Sequence, residues 1–142
     1  YGLVGSEMCI RDSYQGKAAA AIEALEDHDL VFVHIEAPDE ASHGGNAAMK
    51  KAAIERVDKH IVGPVLEALE GFESWRILVL PDHPTPVRHG AHSAEPVPFA
   101  MAGTGVTGVV QLGFGESNAA RSGVRIENGH ELMEYFLKSA VR

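Results

Sequence analysis

Three short apolar runs punctuate this chain: VFVHI at residues 31–35, RILVL at 76–80 and VPFAMA at 97–102. Runs of five or six residues, rich in branched side chains and bounded by turn formers, read as buried strands. Helix-favouring stretches lie around them. Residues 17–26 are alanine-rich. Asn46 is placed to cap a long helix whose Met49, Ala53, Ile54, Val57, Ile61, Val65 and Leu69 recur at three-and-four spacing and make one apolar face. Gly63 followed by Pro64 should kink or divide that helix, because proline lacks the amide hydrogen. Residues 131–138 read as a closing amphipathic helix and residues 103–115 as a glycine-rich loop. Strands alternating with helices constrain the chain to an α/β fold with a mostly parallel sheet flanked by helices.

Length and charge bound the rest. With 142 residues and 45% hydrophobic content the chain buries one core, so a single domain or part of one is expected. A formal net charge of -8 argues against a nucleic-acid or anionic-membrane surface, since no run of Lys and Arg segregates a basic patch. The one cysteine, Cys9, has no internal partner, and no apolar run reaches the roughly 18 to 20 residues that span a bilayer. A soluble, cytoplasmic protein is the expectation, with its oligomeric state left open. Residues 1–13 (YGLVGSEMCIRDS) follow neither helical nor strand periodicity and lack the form of a signal peptide. They resemble a translated sequencing-adapter read-through, so residues 1–13 are expected to be non-native and residues 14–142 to be the C-terminal part of a longer domain.

Ligands of open α/β sheets gather beyond the carboxyl ends of strands, and three clusters of acidic and imidazole side chains lie beside the strand ends here. Asp39 lies four residues past Ile35, and His43 follows one helical turn later, so a turn of helix or a tight loop brings both onto one face. Asp82 and His83 directly follow RILVL, and Pro81 and Pro84 bracket them in a turn where both can point inward. His92 stands just before the third strand. Carboxylates mixed with imidazoles suit divalent transition metals, and no set of thiolates points to structural zinc instead. Each residue also has a plainer reading. An isolated aspartate after a strand ordinarily caps a helix or forms a turn. A lone loop histidine is ordinarily solvated, so His28, His60 and His130 receive no role, and His34, inside a strand, reads as a hydrogen-bonded core residue. His89 competes with His92 by spacing alone. Lys50 and Lys51 read as a solvated face, with Lys50 the one that could reach a substrate anion.

A resemblance gathers these clusters. HIEAPDEASHGG at 34–45, LPDHPTP at 80–86, AHSAEPVPFAM at 91–101 and ENGHELM at 127–133 resemble the archaeal-type cofactor-independent phosphoglycerate mutases of the alkaline phosphatase superfamily. The likeness runs from about Tyr14 to the C-terminus. It implies an alkaline-phosphatase-like partial domain in which Asp39, His43 and His92 ligate one metal and Asp82 and His83 the other. It also prefers His92 to His89. It implies two divalent ions, manganese first, with magnesium, zinc or cobalt as alternatives. The reaction implied is the interconversion of 3-phosphoglycerate and 2-phosphoglycerate in glycolysis and gluconeogenesis through a phosphoserine intermediate, with phosphoglycerate as the small-molecule partner.

The chain departs from the family pattern at several points. No segment matches the family's N-terminal metal-binding aspartate, its nucleophilic serine or its inserted substrate-gripping domain. No catalytic residue is therefore assigned, and Ser42 and Ser93 do not stand at the nucleophile's position. Two other readings are carried. One is a related superfamily phosphatase or phosphotransferase acting on another small phosphate ester. The other is a non-catalytic metal-binding module. The 142-residue chain by itself is expected to give no phosphoglycerate isomerisation above background in a coupled assay, and measurable turnover would overturn the reading of it as part of a mutase.

Overall fold

The first helix begins where a side chain can satisfy its free end. In this computed structural model, which describes residues 2–4 (backbone alone), 13–109 and 112–138, Ser13 is extended and its hydroxyl accepts the Gly16 amide at 2.9 Å. That bond satisfies one of the four open N–H groups of helix α1, Tyr14–Ala24. The reading of residues 1–13 as foreign falls mainly on positions 1 and 5–12, with Cys9 among them, which lie outside the described residues. Residues 2–4 form a short strand, β1 (Gly2–Val4), paired in parallel with β2 (Val31–Val33) in the register Gly2 to Val31. Three residues are too few to show an alternating pattern, so the sequence does not reveal β1.

Two compact units divide the chain, the first being Tyr1–Gly71 with Thr85–His92 and the second Phe72–Pro84 with Ser93–Arg142. In the first, α1 packs against β2, and its Ala18 and Ala21 are buried, 3% and 1% exposed. Lys17 lies buried on the same helix, and its ammonium donates to the His34 carbonyl at 2.6 Å, just past the end of β2. That bond meets the requirement that a buried cation be paired with an acceptor. The expected strand 31–35 is therefore shorter than its apolar run. His34 is no core residue either: its ring is 62% exposed and lies 3.8 Å from the Glu36 carboxylate.

After β2 come α2 (Ala37–His43) and α3 (Ala47–Val57), which pack on each other. Asn46 caps α3 as expected, its side chain accepting the Met49 amide at 3.0 Å. The long helix is divided, but by a π-helical stretch, Asp58–Val62, that runs into α4 (Gly63–Leu69). Pro64 has no amide hydrogen for the carbonyl four residues back, and the Gly63 amide reaches back five residues to Asp58. The wider turns bring the eight-residue step from Ala53 to Ile61 nearer to two whole turns, so those two residues are buried together with Leu69. Met49 and Ile54, expected on the same apolar face, are 61% and 45% exposed.

The second unit holds β3 (Arg76–Val79) and β4 (Ala100–Gly103), paired antiparallel with Arg76 opposite Gly103. The α/β class stands, with the described strands making one parallel and one antiparallel pair. A parallel pairing of β4 with β3 would need a crossover connection such as a helix, and residues 80–99 contain none. β4 starts three residues later than the apolar run because Pro96 and Pro98 cannot donate to a ladder. The helix α5 (Glu116–Arg121), unread in the sequence, and α6 (Glu131–Lys138), read with these bounds, complete the unit. Arg76 ties β3 to the last turn of α6, its guanidinium donating to the Phe136 carbonyl at 2.7 Å and to the Thr104 carbonyl at 3.0 Å. A cation on the open carbonyls of a helix end is favourable by about 0.3 to 1 kcal/mol.

Gly103 closes β4 at φ +122°, where a side chain is strained, and a Cβ there would meet the Trp75 carbonyl oxygen at 2.2 Å. Gly103→Ala is expected to destabilise the protein by about 2 to 4 kcal/mol, read as a lowered denaturation midpoint. An unchanged midpoint would contradict this account of the β3–β4 edge.

Candidate metal centre

Asp39 and His43 take their places from the way α2 is built. Pro38 sits in its first turn, where the missing amide costs nothing, and Asp39 favours the positive end of the helix. Ser42 is fully buried, its hydroxyl donating within the helix to the Pro38 carbonyl at 2.6 Å, so that side of α2 faces into the unit while Asp39 and His43 are more exposed. The four-residue spacing read from the sequence is thus a single turn of helix, with His43 Nε2 3.2 Å from Asp39 Oδ2.

The third member comes from the segment Thr85–His92. His92 Nε2 lies 3.1 Å from His43 Nε2 and 3.5 Å from Asp39 Oδ1. Two ligands at about 2.0 to 2.2 Å from one ion stand about 3.0 to 3.5 Å apart in octahedral or tetrahedral geometry, so these separations fit a shared ion. His43 is oriented for that role. Its Nδ1 is 2.8 Å from the Gly90 carbonyl, which can only accept, so Nδ1 donates there and Nε2 is the ring nitrogen that faces Asp39 and His92. Gly90 adopts φ +59° after a turn closed by its amide on the Pro86 carbonyl, and a Cβ there would approach the His43 carbonyl oxygen at 3.3 Å. His89, the competitor by spacing, instead has its Nε2 3.0 Å from Arg88 Nε, which donates to it.

Two residues without a metal role in the sequence also belong here. Thr85, 4% exposed, donates its hydroxyl to Asp39 Oδ1 at 2.6 Å. Lys50 donates to the Thr85 carbonyl at 2.8 Å, so it is neither a solvated lysine nor one held out toward an anion. A threonine between two prolines reads only as a turn, and its reach to a residue 46 positions earlier leaves no local signal.

In the second unit, Asp82 and His83 follow β3 in the turn expected from Pro81 and Pro84. The Asp82 carboxylate accepts the His83 amide at 3.1 Å, and its other oxygen lies 3.6 Å from His83 Nε2. Both side chains therefore turn to one side of the bend, as two ligands of one ion would. Ser93 has a buried hydroxyl with no hydrogen-bond partner among the described residues, and Ser42 is spent on Pro38. Of the other histidines, His28 donates to the Ala24 carbonyl at 3.0 Å at the end of α1, and His60 lies 3.4 Å from the Gln15 amide.

A divalent ion fits the site made by Asp39, His43 and His92, and comparison with known families gives that fit a context. Residues 3–134 match the model of the metalloenzyme superfamily, and the chain belongs to that superfamily, whose members bind divalent metals. Over 134 residues, 94% of the chain, it is 46% identical to a probable 2,3-bisphosphoglycerate-independent phosphoglycerate mutase of Geobacter sulfurreducens, and 46% identical over the same length to a mutase of that name from Methanothrix thermoacetophila. The chain spans about a third of the length of these relatives, 34% of each. The solved structure of the PH0037 protein from Pyrococcus horikoshii superposes with a TM-score of 0.79 at 34% identity, over 88% of this chain and 37% of that one.

Calorimetric titration of the chain with manganese is expected to show about one tightly held ion, with Asp39→Ala and His92→Ala each weakening it by more than about a hundredfold. Retention of binding in both variants would exclude this trio as the ligand set.

Proposed function

We propose that this chain is the metal-binding C-terminal part of a cofactor-independent phosphoglycerate mutase, an isomerase of glycolysis and gluconeogenesis that moves a phosphoryl group between the 3- and 2-hydroxyls of glycerate. The observation that carries the reading is the convergence of Asp39, His43 and His92 within one compact unit, in a chain 46% identical to proteins named as such mutases. Asp39, His43 and His92 would hold one divalent ion, and Asp82 with His83 would contribute to a second. Bound divalent ions supply charge neutralisation at the transferring phosphoryl oxygens and activate the attacking hydroxyl.

The chain's own residues do the positioning. Mixed imidazole and carboxylate donors suit divalent transition metals, and by the family resemblance the proposed ion is manganese, with magnesium, zinc and cobalt as the other candidates. His43 is held by its Nδ1 to the Gly90 carbonyl, which aims the other ring nitrogen at the proposed ion. The nucleophilic serine and the remaining ligand are assigned to the part of the relatives' length that this chain does not span. The proposed setting is the cytoplasm, with phosphoglycerate as partner and no nucleic acid or membrane. No described helix is long and apolar enough to cross a bilayer, and the net charge of -8 disfavours polyanions.

The test is a chimera in which residues 14–138 replace the matching segment of the Geobacter sulfurreducens relative. With manganese it is expected to convert 3-phosphoglycerate to 2-phosphoglycerate, and Asp39→Ala in the chimera is expected to lower kcat/KM by at least about a thousandfold. A folded chimera that ignores phosphoglycerate but hydrolyses other phosphate monoesters would replace the mutase reading with that of a superfamily phosphatase.

A further inference from the structure

We infer that Thr85 is a positioning residue for the Asp39 carboxylate, and that Lys50 holds Thr85 in place, so that Thr85–His92 acts as a strap setting the geometry of the first metal. The inference rests on the metal reading proposed above and extends it to residues with no ligating atom in the site.

An aspartate carboxylate turns freely about its last torsion, whose preference is broad. With nothing to fix it, Asp39 would present either oxygen, or an edge between them, toward His43. The Thr85 hydroxyl removes that freedom. It donates to Oδ1 at 2.6 Å, a short distance typical of a hydroxyl on a charged oxygen, and it leaves Oδ2 facing His43 at 3.2 Å. Thr85 is itself immobilised, being 4% exposed, with its carbonyl receiving the Lys50 ammonium from the adjacent helix α3. Five residues on, the Gly90 carbonyl accepts the Nδ1 proton of His43. Two residues beyond that stands His92. One strap of eight residues thus supplies one proposed ligand and orients the other two, and the Lys50 bond ties its start to the unit that carries Asp39.

Loss of a partner that orients a metal ligand typically weakens metal affinity by about ten- to a hundredfold. The experiment is manganese titration of the whole 142-residue chain, by calorimetry and by the paramagnetic resonance of free manganese, alongside thermal melting of the metal-free protein. Thr85→Val keeps the shape and removes the hydroxyl. It is expected to weaken manganese binding by about ten- to a hundredfold while the metal-free melting temperature stays within about 3 °C. Thr85→Ser restores the hydroxyl and is expected to return the affinity to within about threefold of the unsubstituted chain. Lys50→Met, which frees the strap without touching Asp39, is expected to fall between them. Should Thr85→Val bind manganese as the unsubstituted chain does, or should Thr85→Ser bind as weakly as Thr85→Val, the strap is overturned while the three-ligand site stands. Should the unsubstituted chain fail to bind manganese, the ligand reading and the strap fall together.

Discussion

The Asp39 carboxylate is the group on which the proposed site depends. It is the one formal negative charge among three proposed ligands, and its oxygens are pulled three ways: toward His43 by the stacking of α2, toward His92 by the strap, and toward the Thr85 hydroxyl. A half-exposed carboxylate near two imidazoles would ordinarily be worth little, because water competes for each oxygen and side-chain entropy opposes order. Here the partners are fixed first. The buried face of α2 at Ser42 seats that helix, Gly90 fixes the His43 ring and Lys50 fixes Thr85, so the carboxylate enters an arrangement whose ordering cost falls on the fold.

How much of this is legible in the sequence depends on the range of the interaction. Local patterns read well. VFVHI and RILVL each contain a strand, Asn46 caps its helix, the closing helix has its expected bounds, and Asp39 and His43 fall one turn apart as their spacing says. Patterns without periodicity read poorly. The three residues of β1 and the polar helix α5, ESNAAR, give no apolar stripe to find, and His34 looked internal only because the apolar run outlasts the strand. Contacts between distant positions are not legible at all. Thr85 meets Asp39 across 46 residues and Gly90 meets His43 across 47, and neither residue type announces such a role. The family resemblance, in contrast, depended on whole motifs and singled out His92 over His89, the histidine the structure places beside Asp39 and His43.

The second unit shows another kind of economy. One arginine in β3 serves both the strand edge and the final helix, and one glycine at the end of β4 allows the chain to pass within touching distance of Trp75. Neither residue is near Asp39 in sequence or shares its unit, yet each keeps β3 in place, and β3 leads directly into Asp82 and His83. A site whose ligands follow strand ends inherits the precision of those strands.

The π-helical stretch Asp58–Val62 has a consequence for how this chain can change length. It holds one residue more than an α-helix of the same path would, and the surplus is absorbed by wide turns where Pro64 had already broken the ladder. Deleting a single residue there would allow a regular helix to form, an apparent improvement in local hydrogen bonding. It would also leave the parts before and after the stretch in nearly their present phase, since seven residues of regular helix turn about 700°, about 20° short of two whole turns. Ala53 and Ile61 would still share one buried face, and Lys50, one turn before Ala53, would keep its side toward Thr85. The irregular turn therefore lets the rod span the same path with one residue more or one fewer while its buried face keeps its direction.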